Sequence, residues 1–273
     1  MISLSSIRIH PVKSTAIRPV DEAEVDALGL VDDRRWMVVD GVGECVTART
    51  DRRLFTIVAD TPHTTPGLPV PLRLSAPGFG AIDVPDSGSA AIPVTVFGRG
   101  LRGISAGPDL RAWVWAVLDR EDVDLVRMAE PRPLNPAHAE TGEATAFADG
   151  YPVTLASESS LRQLGAWIAE VSGEPSELPM DRFRPNLVVT GDLAPFAEDH
   201  WRRVRIGEVT FRVVKGIDRC AMTLLDPATL VSGAEPIRTL ARYRKWDGAT
   251  WFGVQLIPDN PGSILVGDSV TPT

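Results

Sequence analysis

The chain has 273 residues, is 44% hydrophobic and carries a formal net charge of −8. Its length suits one large domain or two small ones, and its acidity excludes the broad basic surface of nonspecific nucleic-acid binding. No segment approaches the roughly 18 consecutive apolar residues of a membrane helix, since the longest run, Ala112 to Leu118, is far shorter. The N-terminus opens on a strand-like segment, Ile2 to Ile9, with no basic region ahead of an apolar block, so no signal peptide is expected. Two cysteines, Cys45 and Cys220, are too few for a disulfide framework, and reduced thiols in the cytoplasm are the expectation. The four histidines (His10, His63, His138 and His200) lie far apart, without zinc-site spacing.

In chain order, residues 1–105 read as short strands separated by Pro and Gly. Ile7 and Ile9 alternate with Arg8 and His10 until Pro11 stops the run. Trp36 to Val39 and Cys45 to Ala48 flank a Gly-rich turn, which predicts a hairpin. Further strands are predicted at 54–58, 72–74, 81–84 and 93–97. This spacing suits a small barrel or sandwich rather than alternating βαβ units. Pro108 can open a helix whose Leu110, Trp113, Val114 and Val117 share one face. A strand is predicted at 123–128. Residues 129–149, rich in Pro, Ala, Gly and Glu, read as a long loop or mobile flap. Ser157 is a plausible N-cap for a helix carrying Leu161, Leu164, Ile168 and Val171, ended by Gly173 and Pro175. Strands are predicted at 187–190, 204–206, 209–214, 251–257 and 264–266, with a short helix at 237–243. The fold class is α+β and β-rich: an N-terminal barrel-like domain over 1–107, then a second domain over 108–273.

Common catalytic templates are absent: no P-loop, no GxGxxG after a strand and no GxSxG elbow. Four segments remain. His10 to Ser14 ends the first strand with Lys13 and Ser14, which together can bind an anion, although a lysine in a turn is also common. Asp33 to Trp36 carries Arg34 beside an acid, usually a surface ion pair. Arg182 to Asn186 sets Arg184 and Asn186 around Pro185, offering fixed donors to a planar or anionic ligand. Asp218 to Thr223 contains Cys220. A lone cysteine is often a small core residue; Arg219 favours a thiolate and Asp218 opposes it, so the local sequence leaves both readings open. Cys45, inside a strand, reads as structural.

Read together, these segments resemble the MOSC family with its N-terminal β-barrel partner, and within it the amidoxime-reducing proteins. The resemblance is carried by HPVKS (10–14), DRRW (33–36), VTAR (46–49), FADGYPVTLASESSL (147–161), RFRPN (182–186), RCAMTLLDP (219–227) and NPGSILVGD (260–268). It implies a molybdenum cofactor, a pterin with a dithiolene and a phosphate, in a cleft between the two domains. By similarity, Cys220 would be the metal's thiolate, a soft donor suited to a dithiolene-bound metal. Lys13, Ser14 and Arg34 would hold the cofactor from the first domain, and Ser159, Arg184, Asn186 and Arg219 from the MOSC domain. The implied activity is reduction of small N-hydroxylated or N-oxide substrates. Two cysteines cannot bind a [2Fe–2S] cluster through four thiolates, so the implied electron donor is a separate protein of ferredoxin or flavin-reductase type. Departures are Asp218 before the Arg-Cys pair and Gln255 in a stretch where some relatives carry tyrosine. The alternative is sulfur transfer or cofactor handling through Cys220. Pyridoxal phosphate, an annotation often attached to the family, is disfavoured because only Lys215 lies near the motifs.

Overall fold

The computed structural model describes residues 1–85, 90–174 and 178–273. It is β-rich with three α-helices among the described residues: α1 (Pro108–Leu118), α2 (Glu158–Ser172) and α3 (Ile237–Tyr243). The largest sheet runs in the order Arg18–Val20, Ile2–Ile9, Leu187–Gly191, Val153–Ser157, Ala249–Pro258, Val209–Asp218, Arg203–Ile206 and Val270–Pro272. A bridge between Ser3 and Ser269, and a bond from the Leu4 amide to the Asp268 carbonyl, return the last strand to the first and close the sheet. The closed sheet hides the free edges that a strand otherwise presents. Inside it, Leu4, Ile7, Leu155, Leu187, Val204, Phe211 and Leu256 are almost fully buried. Each such side chain contributes roughly 1.5–3 kcal/mol on leaving water.

Val153–Ser157 and Leu187–Gly191 pair in parallel, so the chain must cross over between them, and α2 is that crossover. The expected N-cap is present: the Ser160 amide donates to Ser157 Oγ at 3.1 Å. Gly173, at φ 77°, ends the helix in the left-handed region open to glycine. Pro175, expected to share that role, lies outside the described residues.

A four-stranded sheet (Trp36–Asp40, Val123–Met128, Arg99–Ser105, Ala91–Val96) and a smaller one (Val58–Asp60, Leu72–Ala76, Gly80–Val84) build the N-terminal domain. One hydrophobic core spans the boundary expected at 107/108. Helix α1 packs Leu110, Val114 and Leu118 into one core with Val38, Leu54, Leu72 and Val84, and Val123 and Leu125 join it. Conversely, the first strand, Ile2–Ile9, belongs to the second domain's sheet. Hydrophobic periodicity marks which face of an element is buried but not which core receives it. The strand expected at 54–58 is instead a 3₁₀ turn, Arg52–Thr56, because Asp51 accepts the Arg53 amide at 3.1 Å. The strand resumes at Val58.

Residues 129–149 are not a featureless loop. Arg132–Pro133 and Ala144–Thr145 pair into a short ribbon. The buried Arg132 donates through Nη2 to the Ala148 and Gly150 carbonyls at 2.7 and 3.0 Å. Arg212 reaches from the barrel to Glu140 (3.0 Å) and Glu143 (2.6 Å).

Candidate functional site

The two domains meet at a cleft of about 420 Å³, within the range of small-molecule sites. Eight of its lining side chains are Lys or Arg and two are Asp, in a chain whose net charge is −8. The positive charge is therefore local, as an anionic ligand requires.

The first strand ends at Ile9, and the chain then turns into the cleft. His10 is fully buried; its amide and Nδ1 both meet Asp33 Oδ1, at 2.8 and 3.1 Å. Burial first, then Arg34 and Arg184, push its pKa down to about 3, so the ring is neutral. Burial alone would raise the Asp33 pKa, but Arg34 and His10 overrule it and hold the carboxyl well below the ordinary range. Arg34 Nη1 donates to Asp33 and to Asn186 Oδ1, the latter at 3.1 Å. Asn186 also accepts from Thr154 Oγ1 (3.0 Å) and donates to the Arg8 carbonyl (3.1 Å). It does not line the cleft; it positions Arg34.

Lys13 is buried and donates through Nζ to the Phe147 carbonyl at 2.8 Å and to Asp149. Arg49 approaches the same carboxylate at 2.9 Å and donates to Cys220 Sγ through Nε and Nη2, at 3.3 and 3.2 Å. Partial burial raises the Asp149 pKa, but Lys13 and Arg49 outweigh it and keep the carboxylate ionised. Cys220 is exposed to the cleft at the head of a 3₁₀ turn, Ala221–Leu224. Cys45 sits beside the Met37, Val39 and Phe147 cluster, where burial pushes its thiol up to about 11. It is no nucleophile at neutral pH.

Arg184 and Arg219 are held by carbonyls. Arg184 Nη2 donates to the Thr15 carbonyl at 2.7 Å, and its guanidinium lies 4.9 Å from the Phe55 ring. Arg219 donates through Nε to the Phe252 carbonyl (2.7 Å) and through Nη1 to the Phe183 carbonyl (2.9 Å). Desolvation lowers both guanidinium pKa values to about 9. Each keeps one sealed nitrogen with no protein partner, Arg184 Nη1 and Arg219 Nη2. Buried donors in native proteins are almost always satisfied, and these two belong to side chains that line the cleft. Ser14, Arg34 and Arg184 all have positive φ, at 67°, 51° and 51°. Strained non-glycine backbone of this kind gathers at functional sites.

The structure thus brings Lys13, Ser14, Arg34, Arg184, Arg219 and Cys220 to one cleft. It does not bring Ser159 there. That hydroxyl contacts Ser157 Oγ at 3.0 Å, in a buried cluster where Ser157 and Ser160 also bond to Glu198. Sequence reasoning passed over Arg49 and Asp149, although VTAR and FADG contain them; their pairing is visible only once the domains meet. It also missed the role of Gly150, where a Cβ would lie 2.2 Å from Gln255 Oε1, the acceptor for the Tyr151 amide.

A single thiol cannot hold a metal alone, so a metal here must arrive with its own donor atoms. A soft dithiolene complex with a phosphate tail fits this donor set: the thiol at one point, the two unsatisfied guanidinium nitrogens and the cationic walls around it.

Comparison with known proteins agrees with this architecture. Residues 1–121 match the MOSC N-terminal beta barrel domain and residues 142–271 the MOSC domain. The chain belongs to the MOSC-domain family, in the two-domain form that joins this barrel to the MOSC domain. Among its relatives is mitochondrial amidoxime-reducing component 1 of Mus musculus, 32% identical over 98% of this chain and 81% of that protein. The Homo sapiens counterpart is 31% identical over 98% and 82%. Component 2 of Rattus norvegicus is 30% identical over the same shares. Among the described residues, no helix is long and apolar enough to cross a membrane.

Proposed function

We propose that this protein is a molybdenum-cofactor-dependent reductase of N-hydroxylated compounds. The observation that carries the reading is the cleft itself: one exposed thiol clamped by Arg49, beside two arginines with unsatisfied buried donors. The names of the relatives point to the same chemistry, reduction of amidoximes.

Cys220 would bind the metal; Arg184, Arg219, Lys13, Ser14 and Arg34 would hold the pterin and its phosphate. When bound, the cofactor supplies two electrons, which with two protons convert C=N–OH to C=N–H and water. The protein binds, orients and tunes. Arg49 fixes the sulfur from the opposite domain, and Lys13 with Arg49 holds Asp149 as a carboxylate next to it. Asn186 and Asp33 keep Arg34 aimed into the cleft. The electrons come from a separate protein.

The test is reduction of an aromatic amidoxime by cofactor-loaded protein with a reduced viologen as donor. The reading requires turnover that is lost in Cys220→Ser. Full molybdenum content without N–O reduction would overturn it in favour of sulfur transfer or cofactor handling.

A further inference from the structure

Two cations of the cleft remain after these pairings are assigned. Arg182 pairs with Asp226 at 2.9 Å, Arg34 with Asp33, and Lys13 and Arg49 share Asp149. Arg184 and Arg219 carry the unsatisfied donors. Arg99 and Lys215 also line the cleft, one from each domain, and neither pairs with a carboxylate among the described residues. Lys215 Nζ lies 5.8 Å from the Trp251 ring, its only specific contact among them.

Arg99 opens the strand Arg99–Ser105, directly after the turn that joins it to Ala91–Val96. The two turn residues, Phe97 and Gly98, have φ of 51° and 73°. Positive φ at both positions favours Asn or Gly first, and phenylalanine is a poor choice there. Phe97 is 52% exposed, so a core does not hold it. Its ring lies 5.3 Å from Lys13 Nζ and 5.2 Å from the Arg49 guanidinium, the two cations that flank Asp149. Arg49 in turn contacts Cys220. A strained, half-exposed aromatic face over the two cations that flank Asp149, followed two residues later by an unpaired arginine of the cleft wall, is built to meet a ligand. A ring offers stacking to a planar group, and a guanidinium offers two parallel donors to a carboxylate or phosphate.

We propose that Phe97, Arg99 and Lys215 form a substrate subsite that selects planar N-hydroxylated compounds bearing an anionic group, a carboxylate or a phosphate. This rests on the reductase reading above, with Phe97 stacking on the planar part and the two cations binding the anion.

The test has a binding arm and a turnover arm, both on molybdenum-loaded protein. In the first, calorimetry without reductant compares benzamide with its para-carboxylate and para-phosphonate, none of which carries an N–O bond. Wild type should bind the anionic amides about five- to tenfold more tightly than benzamide at low salt. That preference should vanish in Arg99→Gln/Lys215→Gln, and Phe97→Ala should weaken all three amides. In the second, the ratio of kcat/KM for para-carboxybenzamidoxime over benzamidoxime should fall toward one in the double variant. A merely damaged cleft would lower both values and leave their ratio intact. Equal binding of neutral and anionic amides by wild type, or a preference that survives the double substitution, overturns the subsite. Loss of turnover with the binding preference intact overturns the reductase reading and leaves the subsite standing.

Discussion

Arg49 donates to Cys220 Sγ through two nitrogens, at 3.3 and 3.2 Å, while one of them also reaches Asp149 at 2.9 Å. One guanidinium thus ties the N-terminal domain to the thiol and the carboxylate of the other wall. Charge-assisted bonds of this kind are the stronger ones, and the partial exposure of Arg49 discounts them to roughly 1 kcal/mol. Arg49→Met should lower the melting temperature of the cofactor-free chain by about 2–4 °C. It should also lower molybdenum per chain severalfold. Calorimetry and elemental analysis of the two proteins check this, and unchanged values in both would refute the clamp.

His10 gives a pH signature. Its ordinary pKa is about 6.5, and the fold holds it at about 3. Between those values the unfolded chain binds a proton that the folded chain does not. This contribution is fully present above pH 6.5 and is lost as pH falls toward 3. His10→Asn should flatten the acid-side fall in unfolding free energy between pH 6 and 4, by roughly 1 kcal/mol per pH unit. Parallel slopes in urea titrations of both proteins would contradict the buried neutral histidine.

Arg184 is expensive to the empty fold. Desolvation lowers its pKa to about 9, and one of its nitrogens has no partner. Removing a poorly compensated charge is often neutral or stabilising. Arg184→Met should therefore melt at or above the wild-type temperature when cofactor-free, and retain less than about a tenth of the wild-type molybdenum, since each lost 1.4 kcal/mol costs tenfold in binding. A variant that melts well below wild type, or loads normally, would show that Arg184 serves the fold rather than the ligand.

The segment 129–149 is latched by Arg212 to Glu140 and Glu143. Asn135 and His138 of this segment line the cleft. Arg212→Ala should speed amide hydrogen exchange across 132–145 and alter the relative rates on large and small amidoximes, with molybdenum content close to wild type. If molybdenum content collapses instead, the segment supports the cofactor and not substrate choice.

The strands and helices were largely readable because period and punctuation are local: the Ser157 cap, the Pro108 start and the face Leu110, Val114 and Val117 all stand in the structure. Which core each element joins was not. Helix α1 joins the first core and the strand Ile2–Ile9 joins the second, a choice made by packing across the whole chain. Within the site, six of the expected residues line one cleft, whereas Ser159 belongs to the Glu198 cluster and Asn186 sits behind Arg34. Arg49, Asp149 and Phe97 were missed, because their meaning lies in contacts across about 50 to 170 residues of sequence.

The most direct test of the account is molybdenum per chain, by elemental analysis, in wild type and Cys220→Ala from a host that overproduces the cofactor. The account predicts near-stoichiometric metal in wild type and a sharp loss in the variant. Equal metal in both, or none in wild type when a control molybdoprotein from the same host is loaded, would contradict it.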